Sequence, residues 1–579
     1  MSAPTRRLRH RIPVRLRHNW RLVALTLAFL GLCWGVFGSG SVHPYVTSTR
    51  TASNDVVTVD LHGKKNLFDT SVPHDVKLSF RDQAYKDMLI EYWKSGEKEY
   101  VEADLTIDGT TIPSVGIRLK GNSTLMGFTW KGKARPRSGP GGRPPGQFKP
   151  PPGMRPPGNG QPPGNGQPPG NGQRPGNGRP RGPGGFGIAL KAEEPEKLPW
   201  LISFDEFVEG RRYQGRTQIA VRPAAMRSET LLNEALAISV VGAAGEPTQR
   251  YTYGSFSVNG RKSPPRLIVE YLDEGYAEAL GDGVLYKSLA SSSFTYKGKD
   301  QTKYTTDFKQ INKLGAKDLQ PVIDLVRWVG DASDKVFATD LPKRLGVASF
   351  ARYAALQNLM VNFDDMSGPG RNYYLWYDRD SAKFTVITWD LNFAFSGDPK
   401  ANPNGSISMF PGGRFPGQGA PGGAPGGAPG GAPGGAPGGA PGGAPGGAPG
   451  GAPGGAPGGA PGGAPGGAPG GAPQGIPAPP GGAPGNGGGP PAGLRIGHPL
   501  KDKFLKAPAF KKLYFEQYRA LYRKLLANGT TSRLLDSIVG AYKRNSGAET
   551  ARVEAEAKKL RDMLKTRTRT LAANKQIGG

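Results

Sequence analysis

The pattern of apolar and polar positions divides the chain sharply. Residues 56–130 alternate with a period of two. Val76-Lys77-Leu78-Ser79-Phe80 and Ala103-Asp104-Leu105-Thr106-Ile107 read as half-buried strands, the second ending in a turn at Asp108-Gly109. Between them residues 85–93 carry helical spacing, and residues 114–120 predict a further strand closed by Gly121-Asn122-Ser123. Residues 200–204 predict a strand. Residues 228–241 predict a helix with Ser228 as N-cap and Leu231, Leu232, Ala235, Leu236 and Ile238 as its apolar set. Residues 254–259 and 266–271 predict strands bracketing the hairpin signal Asn259-Gly260. Residues 319–329 and 347–360 predict helices, 372–377 and 383–389 a second hairpin, and 503–526 and 552–571 a helical tail. A β-rich first half with one internal helix therefore precedes a helix-rich second half.

Two stretches carry neither period. Residues 137–185 repeat a hexad such as Pro-Pro-Gly-Asn-Gly-Gln, and residues 421–472 are thirteen tandem Pro-Gly-Gly-Ala tetrads. Neither places Gly at every third position, which excludes a collagen helix. With almost no apolar side chains, both are expected to be disordered inserts. They explain why Gly (89) and Pro (56) make up a quarter of 579 residues. The N-terminus differs again. Seven Arg residues from Arg6 to Arg21 precede an uncharged run at residues 22–42, long enough to span a bilayer, with the Arg cluster on the inner side. A cleaved signal peptide is the rival reading. Cys33, the single cysteine, lies in this run, so no disulfide forms within the chain.

The organisation expected is a basic cytoplasmic leader (1–21), a transmembrane signal-anchor (22–42), a linker (43–65) and a β-rich start (66–130). A Pro/Gly/Asn insert (131–186), a core (187–396), a Pro-Gly-Gly-Ala insert (397–492) and basic C-terminal helices (493–579) follow. This places the bulk of the chain outside the cell membrane. The net charge of +29 narrows accordingly. Residues 1–54, 131–185 and 493–579 carry +8, +10 and +13, so the remainder nets about −2. A basic face on a folded module, the footprint of a DNA reader, is missing, and nucleic acid is not an expected partner. The basic insert and tail are instead expected to meet acidic envelope polymers.

The chemistry concentrates in Asn362-Phe363-Asp364-Asp365, Asn372-Tyr373-Tyr374 and Thr388-Trp389-Asp390-Leu391-Asn392. Two carboxylates flanking a hairpin, about twenty-five residues apart, are able to converge on one cation. In phosphoryl transfer one Asp orients the hydroxyl while another Asp and an Asn hold Mg²⁺. Loop caps and Asx turns are the alternative for the same residues. The scattered His43, His62, His74 and His498 form no zinc spacing.

These segments resemble the signature of the CotH family, the spore-coat kinase-like proteins. Further pieces fall in the family's order: Gly116-Ile117-Arg118-Leu119-Lys120-Gly121-Asn122-Ser123-Thr124, Glu234-Ala235-Leu236-Ala237, Val258-Asn259-Gly260, Glu270-Tyr271-Leu272-Asp273, Gly283-Val284-Leu285-Tyr286-Lys287 and His498-Pro499-Leu500. The resemblance covers about residues 66–545 without the inserts. It implies an α+β, two-lobed atypical protein-kinase-like fold that uses ATP and Mg²⁺ to phosphorylate Ser/Thr of surface or coat proteins. A catalytically inactive kinase-like surface scaffold is the alternative. By motif, Asp364 is the implied catalytic residue, and Asp390, Asn372 and Asn392 the implied metal or phosphate contacts. Lys120, Glu234, Glu270, Asp273 and Lys287 are the implied nucleotide-binding residues. One departure stands out. Where family members carry a basic residue, this chain has Leu201, so Lys120, Arg118, Lys197 or Lys287 is expected to supply the phosphate clamp.

Overall fold

The computed structural model describes residues 57–121, 123–135, 189–224, 228–312, 318–404, 407 and 497–578, with a few helical positions between 21 and 29. Most of the expected anchor at 22–42 and most of both expected inserts lie outside the described residues. Among the described residues, no helix is long and apolar enough to cross a membrane.

The period-two segments of the first half close on themselves. In chain order the strands are β1 (Val59–Leu61), β2 (His74–Ser79), β3 (Val101–Ile107), β4 (Thr110–Leu119), β5 (Phe128–Trp130), β6 (Lys133–Ala134), β7 (Leu190–Lys191), β8 (Trp200–Ser203), β9 (Arg211–Tyr213), β10 (Gln218–Val221), β11 (Tyr251–Val258) and β12 (Arg261–Glu270). Seven of them form a closed barrel in the order β10-β12-β11-β2-β3-β4-β8. Closure pairs every strand on both sides and leaves no edge to aggregate. The alternation read from sequence is the inside-outside pattern of this barrel: Val76, Leu78, Leu105, Ile107, Val115, Ile117 and Leu119 fill its core. Helix α1 (Asp82–Lys94) adds Met88, Leu89 and Tyr92 to that core. Asn259 and Gly260 both take positive φ, 49° and 79°, as the predicted two-residue hairpin turn requires.

The second half combines a four-stranded sheet with helices. The sheet has the order β14-β13-β15-β16, from β13 (Gly283–Ser288), β14 (Phe308–Gln310), β15 (Tyr373–Asp378) and β16 (Lys383–Thr388). The helices are α2 (Leu232–Ala244), α3 (Glu274–Leu280), α4 (Gln320–Asp331), α5 (Asp334–Asp340), α6 (Val347–Leu359), α7 (Pro499–Lys506), α8 (Pro508–Leu521), α9 (Thr530–Lys543) and α10 (Thr550–Ala572). Helix α2 is apolar almost all round and is correspondingly buried in the centre of this core. The architecture is thus mixed α+β, with one core inside the barrel and another among the helices.

Three local readings are corrected. Ser228 is not the N-cap of α2. The helix begins at Leu232 after Leu231 in a left-handed conformation, and the Ser228 hydroxyl donates instead to Glu556 at 2.7 Å. The tail segment 503–526 breaks between α7 and α8, because Pro508 bars a continuous helix and Ala507 before it is extended. Residues 131–134 and 397–404 lie within the folded body. β5 pairs with both β6 and β7, so the chain departs after Arg135 and returns at Ala189 on one small sheet.

Helix α10 joins distant parts of the fold. Near its start, Glu556 accepts hydrogen bonds from the Ser228 and Thr230 hydroxyls and the Glu229 N–H, in the segment that leads into α2. Near its end, Arg567 is 1% exposed. Its guanidinium donates to the carbonyls of Asn358, Pro399 and Ala401 and to the side chains of Asn358 and Tyr518. It thereby ties the end of α6 to the stretch after residue 396. Substitution Arg567→Ala strands several buried acceptors at about 1–3 kcal/mol each. A loss of at least about 3 kcal/mol in urea unfolding is expected, and a change under about 1 kcal/mol contradicts the role.

Candidate functional site

The barrel rim meets the four-stranded sheet along a seam of strand ends, and the seam gathers charge. Arg222 follows β10 directly and is buried. Its Nε lies 3.0 Å from Glu234, in the first turn of α2, and a terminal nitrogen pairs with Asp390. One guanidinium therefore links the barrel, the central helix and the end of β16. Burial alone disfavours its charge, but Asp390 and Glu234 outweigh that and raise its affinity for the proton. Burial pushes the Glu234 carboxyl up, against the pull of Arg222 and with a push from Asp390. Burial also acts to raise Asp390, but Arg222 and Lys120 hold it below its ordinary value.

Lys120 stands just past the end of β4, where its N–H donates to Pro199. Its Nζ lies 5.2 Å from the Trp389 ring centre. Burial and the Arg222 charge lower it to about 8. Lys287 on β13 donates to the Tyr271 hydroxyl at 3.2 Å and sits over the Tyr271, Tyr374 and Trp389 rings. Burial resists ionisation of Tyr271, yet Lys287 and Lys120 together bring the phenol down to about 8. Three cations, Lys120, Arg222 and Lys287, thus face two carboxylates, Glu234 and Asp390, a surplus that favours a polyanionic ligand.

Asp390 takes a left-handed conformation, φ 53°. It has company: Val361, Arg371 and Phe395 also have positive φ, at 44°, 49° and 58°. A β-branched Val in that region is costly, and such residues gather where function demands geometry. Val361 and Arg371 bracket the loop carrying Asp364, which follows α6, and Asp390 and Phe395 lie just past β16. The Asp364 carboxylate accepts from the Gly370 N–H at 2.7 Å and the Asn372 side-chain amide at 2.9 Å. Burial pushes it up to about 6, with further push from Asp390 and Asp365. Arg371 fastens this loop to the point where the chain returns after its second long break, donating to the Gly497 carbonyl at 2.6 Å. Asp365 pairs with Lys501 and accepts from the Ser367 N–H, a turn role.

The structure therefore brings together Lys120, Glu234, Lys287 and Asp390, with Asp364 within electrostatic reach of Asp390. Three other sequence assignments are revised. The Asn372 amide nitrogen donates to the Asp364 carbonyl and carboxylate, so the role the structure gives it is to support Asp364. Glu270 is committed to Arg216 and Arg250 through its carboxylate, and to Arg250 and Gln249 through its backbone N–H and carbonyl. Asp273 caps α3 and receives the Thr217 and Gln218 N–H groups, so both carboxylates serve the fold. Lys197 is paired with Glu194 instead, and Arg118, over the Tyr100 ring, reaches the cluster only through its charge on the Tyr271 phenol.

The residue that sequence reading missed is Arg222. Leu201 is buried in the barrel wall, paired with Ala220 of β10. The basic group comes two residues after Ala220. Its signal was the run Ile219-Ala220-Val221-Arg222-Pro223, a short apolar strand ending in Arg and closed by Pro.

Among the described residues, no three His, Cys, Asp or Glu side chains converge as a metal cage. A Mg²⁺ shared with phosphates needs less: one or two protein oxygens with water and phosphate completing the shell. Asp390 and Asn392 fit that requirement. The Asp390 side chain keeps 28% exposure beside its ion pair. The Asn392 Oδ1 is buried without a hydrogen-bond partner among the described residues.

Residues 179–420 match the family model of the CotH kinase protein. This portion of the chain, which carries Arg222, Glu234, Asp364 and Asp390, is a CotH-family segment. Among curated proteins none matches the chain.

The close approach of backbone to carboxylate is testable without any ligand. A Cβ at Gly370 would lie 2.6 Å from the Asn372 Nδ2 and 2.7 Å from the Asp364 Oδ2. Gly370→Ala is expected to cost about 1–3 kcal/mol from overpacking, measured by urea unfolding, and an unchanged midpoint contradicts this geometry.

Proposed function

On a CotH-family segment carrying this cluster, we propose a kinase-like activity: transfer of the ATP γ-phosphate to Ser/Thr hydroxyls of surface or coat proteins. The fold reading that goes with it is a two-lobed, atypical protein-kinase-like one, the barrel as first lobe and the helices as second. The location proposed is extracytoplasmic, with a single-pass anchor at 22–42 and the basic insert and tail free to meet acidic envelope polymers. The observation that carries the reading is the Arg222–Glu234–Asp390 ion-pair set beside Lys120. It parallels the basic residue paired to a helix Glu, and the metal-holding Asp, on which protein kinases depend.

Each side chain has a stated task. Arg222, oriented by Glu234, presents a fixed positive group to the nucleotide phosphates, and Lys120 adds a second. Asp390 and Asn392 would hold Mg²⁺, which supplies charge neutralisation across the phosphates when bound. Asp364, steadied by Asn372 and the Gly370 N–H, accepts the hydrogen bond of the acceptor hydroxyl and orients it. The Arg222–Asp390 contact is also what a silent scaffold would retain, so nucleotide binding separates the two readings.

Calorimetry of the full chain with Mg-ATP is expected to give a saturable heat that Asp390→Ala abolishes. Equal heats in both proteins, or none in either, overturns the reading. The rate has a signed pH dependence. Asp364 must be ionised, so activity falls as pH drops through about 6. Lys120 must be charged, so activity falls as pH rises through about 8. A bell-shaped kcat/KM between these limits is expected, and Lys120→Arg should move only the alkaline limb, upward. A flat profile contradicts the assignment.

A further inference from the structure

A second positively charged concavity lies away from this cluster and shares no residue with it. The loop after β1 is built around one side chain. The Gln214 amide donates to the carbonyls of His62 and Lys65 at 2.6 Å each, and its oxygen accepts from the Leu67 N–H at 2.9 Å. Asp60 accepts from the Gly215 N–H at 3.0 Å, stitching the same two segments together. The loop is thus held in one shape, and it borders a shallow, open cleft of about 600 Å³ lined by His62, Lys64, Lys65, Gln214, Arg216 and Arg250.

The charges there do not balance. Arg216 is 6% exposed and is stacked on the Phe68 ring, 4.9 Å from its centre. It shares the single carboxylate of Glu270 with Arg250, at 2.9 and 2.7 Å. Asp60 is occupied by a backbone N–H. Asp108, near Lys65, is already bonded to His74 at 2.7 Å. Two guanidiniums and two ammonium groups therefore border the cleft against two carboxylates, Glu270 and Asp60, a surplus of two positive charges, with the Lys65 ammonium also donating to the Pro73 carbonyl at 3.0 Å. Half of the Arg250 side chain, 55%, faces solvent and is able to receive a ligand without first leaving Glu270.

We propose that this cleft binds a phosphoryl anion. The Arg250 fork would take two of its oxygens, with Lys64 and Lys65 as point charges and Arg216 as the buried anchor of the floor. A carboxylate carries half the charge and fewer acceptors, so the surplus favours a phosphate dianion. The phosphoryl group comes either free or on a phosphorylated chain.

The test uses the full chain without nucleotide or Mg²⁺, titrated calorimetrically with inorganic phosphate and, separately, with a phosphoserine peptide and its unphosphorylated form. Saturable binding is expected, weakened about tenfold for each lysine removed in Lys64→Ala and Lys65→Ala. Both lysines are exposed, so folding should be intact. Lys64→Glu, with an unchanged melting curve, should abolish binding. Asp390→Ala should leave it unchanged, which separates this site from the nucleotide reading. Tighter binding of the phosphopeptide marks a phosphorylated chain as occupant, and tighter binding of inorganic phosphate marks the free anion. No saturable binding of either, or binding lost in Lys120→Ala but kept in Lys64→Glu, overturns the proposal.

Discussion

The fold turns on one buried guanidinium. Arg222 is unable to sit inside the protein alone, because a charge removed from water needs opposing charge and hydrogen bonds. Glu234 and Asp390 meet that need from two different elements, the central helix α2 and the end of β16. Satisfying one cation therefore sets the distance between the barrel, the helical core and the four-stranded sheet. The strained backbone at Asp390 is consistent with this constraint: the residue is bent into a left-handed conformation that directs its carboxylate back toward the barrel. An ion triad of this kind gives little net stability against a well-packed apolar substitute. Its value lies in fixing which atoms face the seam.

Other interactions support the same seam from outside. Glu556 gathers the backbone and hydroxyls just before α2, and Arg567, eleven positions further along α10, binds the end of α6 and the stretch beyond residue 396. One rigid helix thus steadies both the segment that leads to Glu234 and the segment that leads to Asp364. Arg371 does similar work for the Asp364 loop by holding the returning chain at Gly497. The long repeat therefore breaks the sequence without separating the parts that need each other: Tyr514 bonds Pro403 on one side of the break and Gly497 bonds Ser367 on the other.

The two charge clusters differ in a way that matters for what each could hold. At the seam, three cations face two carboxylates, Arg222 in direct ion pairs with both, and aromatic rings surround Lys287, so the groups are already ordered and partly dry. At the cleft after β1, a single carboxylate serves two guanidiniums, and the lysines stand in water. The first arrangement suits chemistry that needs fixed orientation; the second suits capture of charge.

Much of this architecture is legible in the order of residues alone. Period-two alternation locates the strands β2, β3 and β4, and the Asn259-Gly260 pair locates a hairpin. The Asp364, Asn372 and Asp390 segments locate a loop–hairpin–loop with chemistry at both ends. Those are local properties, set by side-chain periodicity and turn conformation, and the chain carries them wherever it is. Closure of the barrel, the partner of Ser228, the commitment of Glu270 and Asp273 to the fold, and the arrival of Arg222 in place of a basic residue at Leu201 are not local. Each depends on which groups meet across tens or hundreds of residues. Only the folded chain decides which carboxylate a buried cation reaches, because burial makes an unpaired charge too costly to leave.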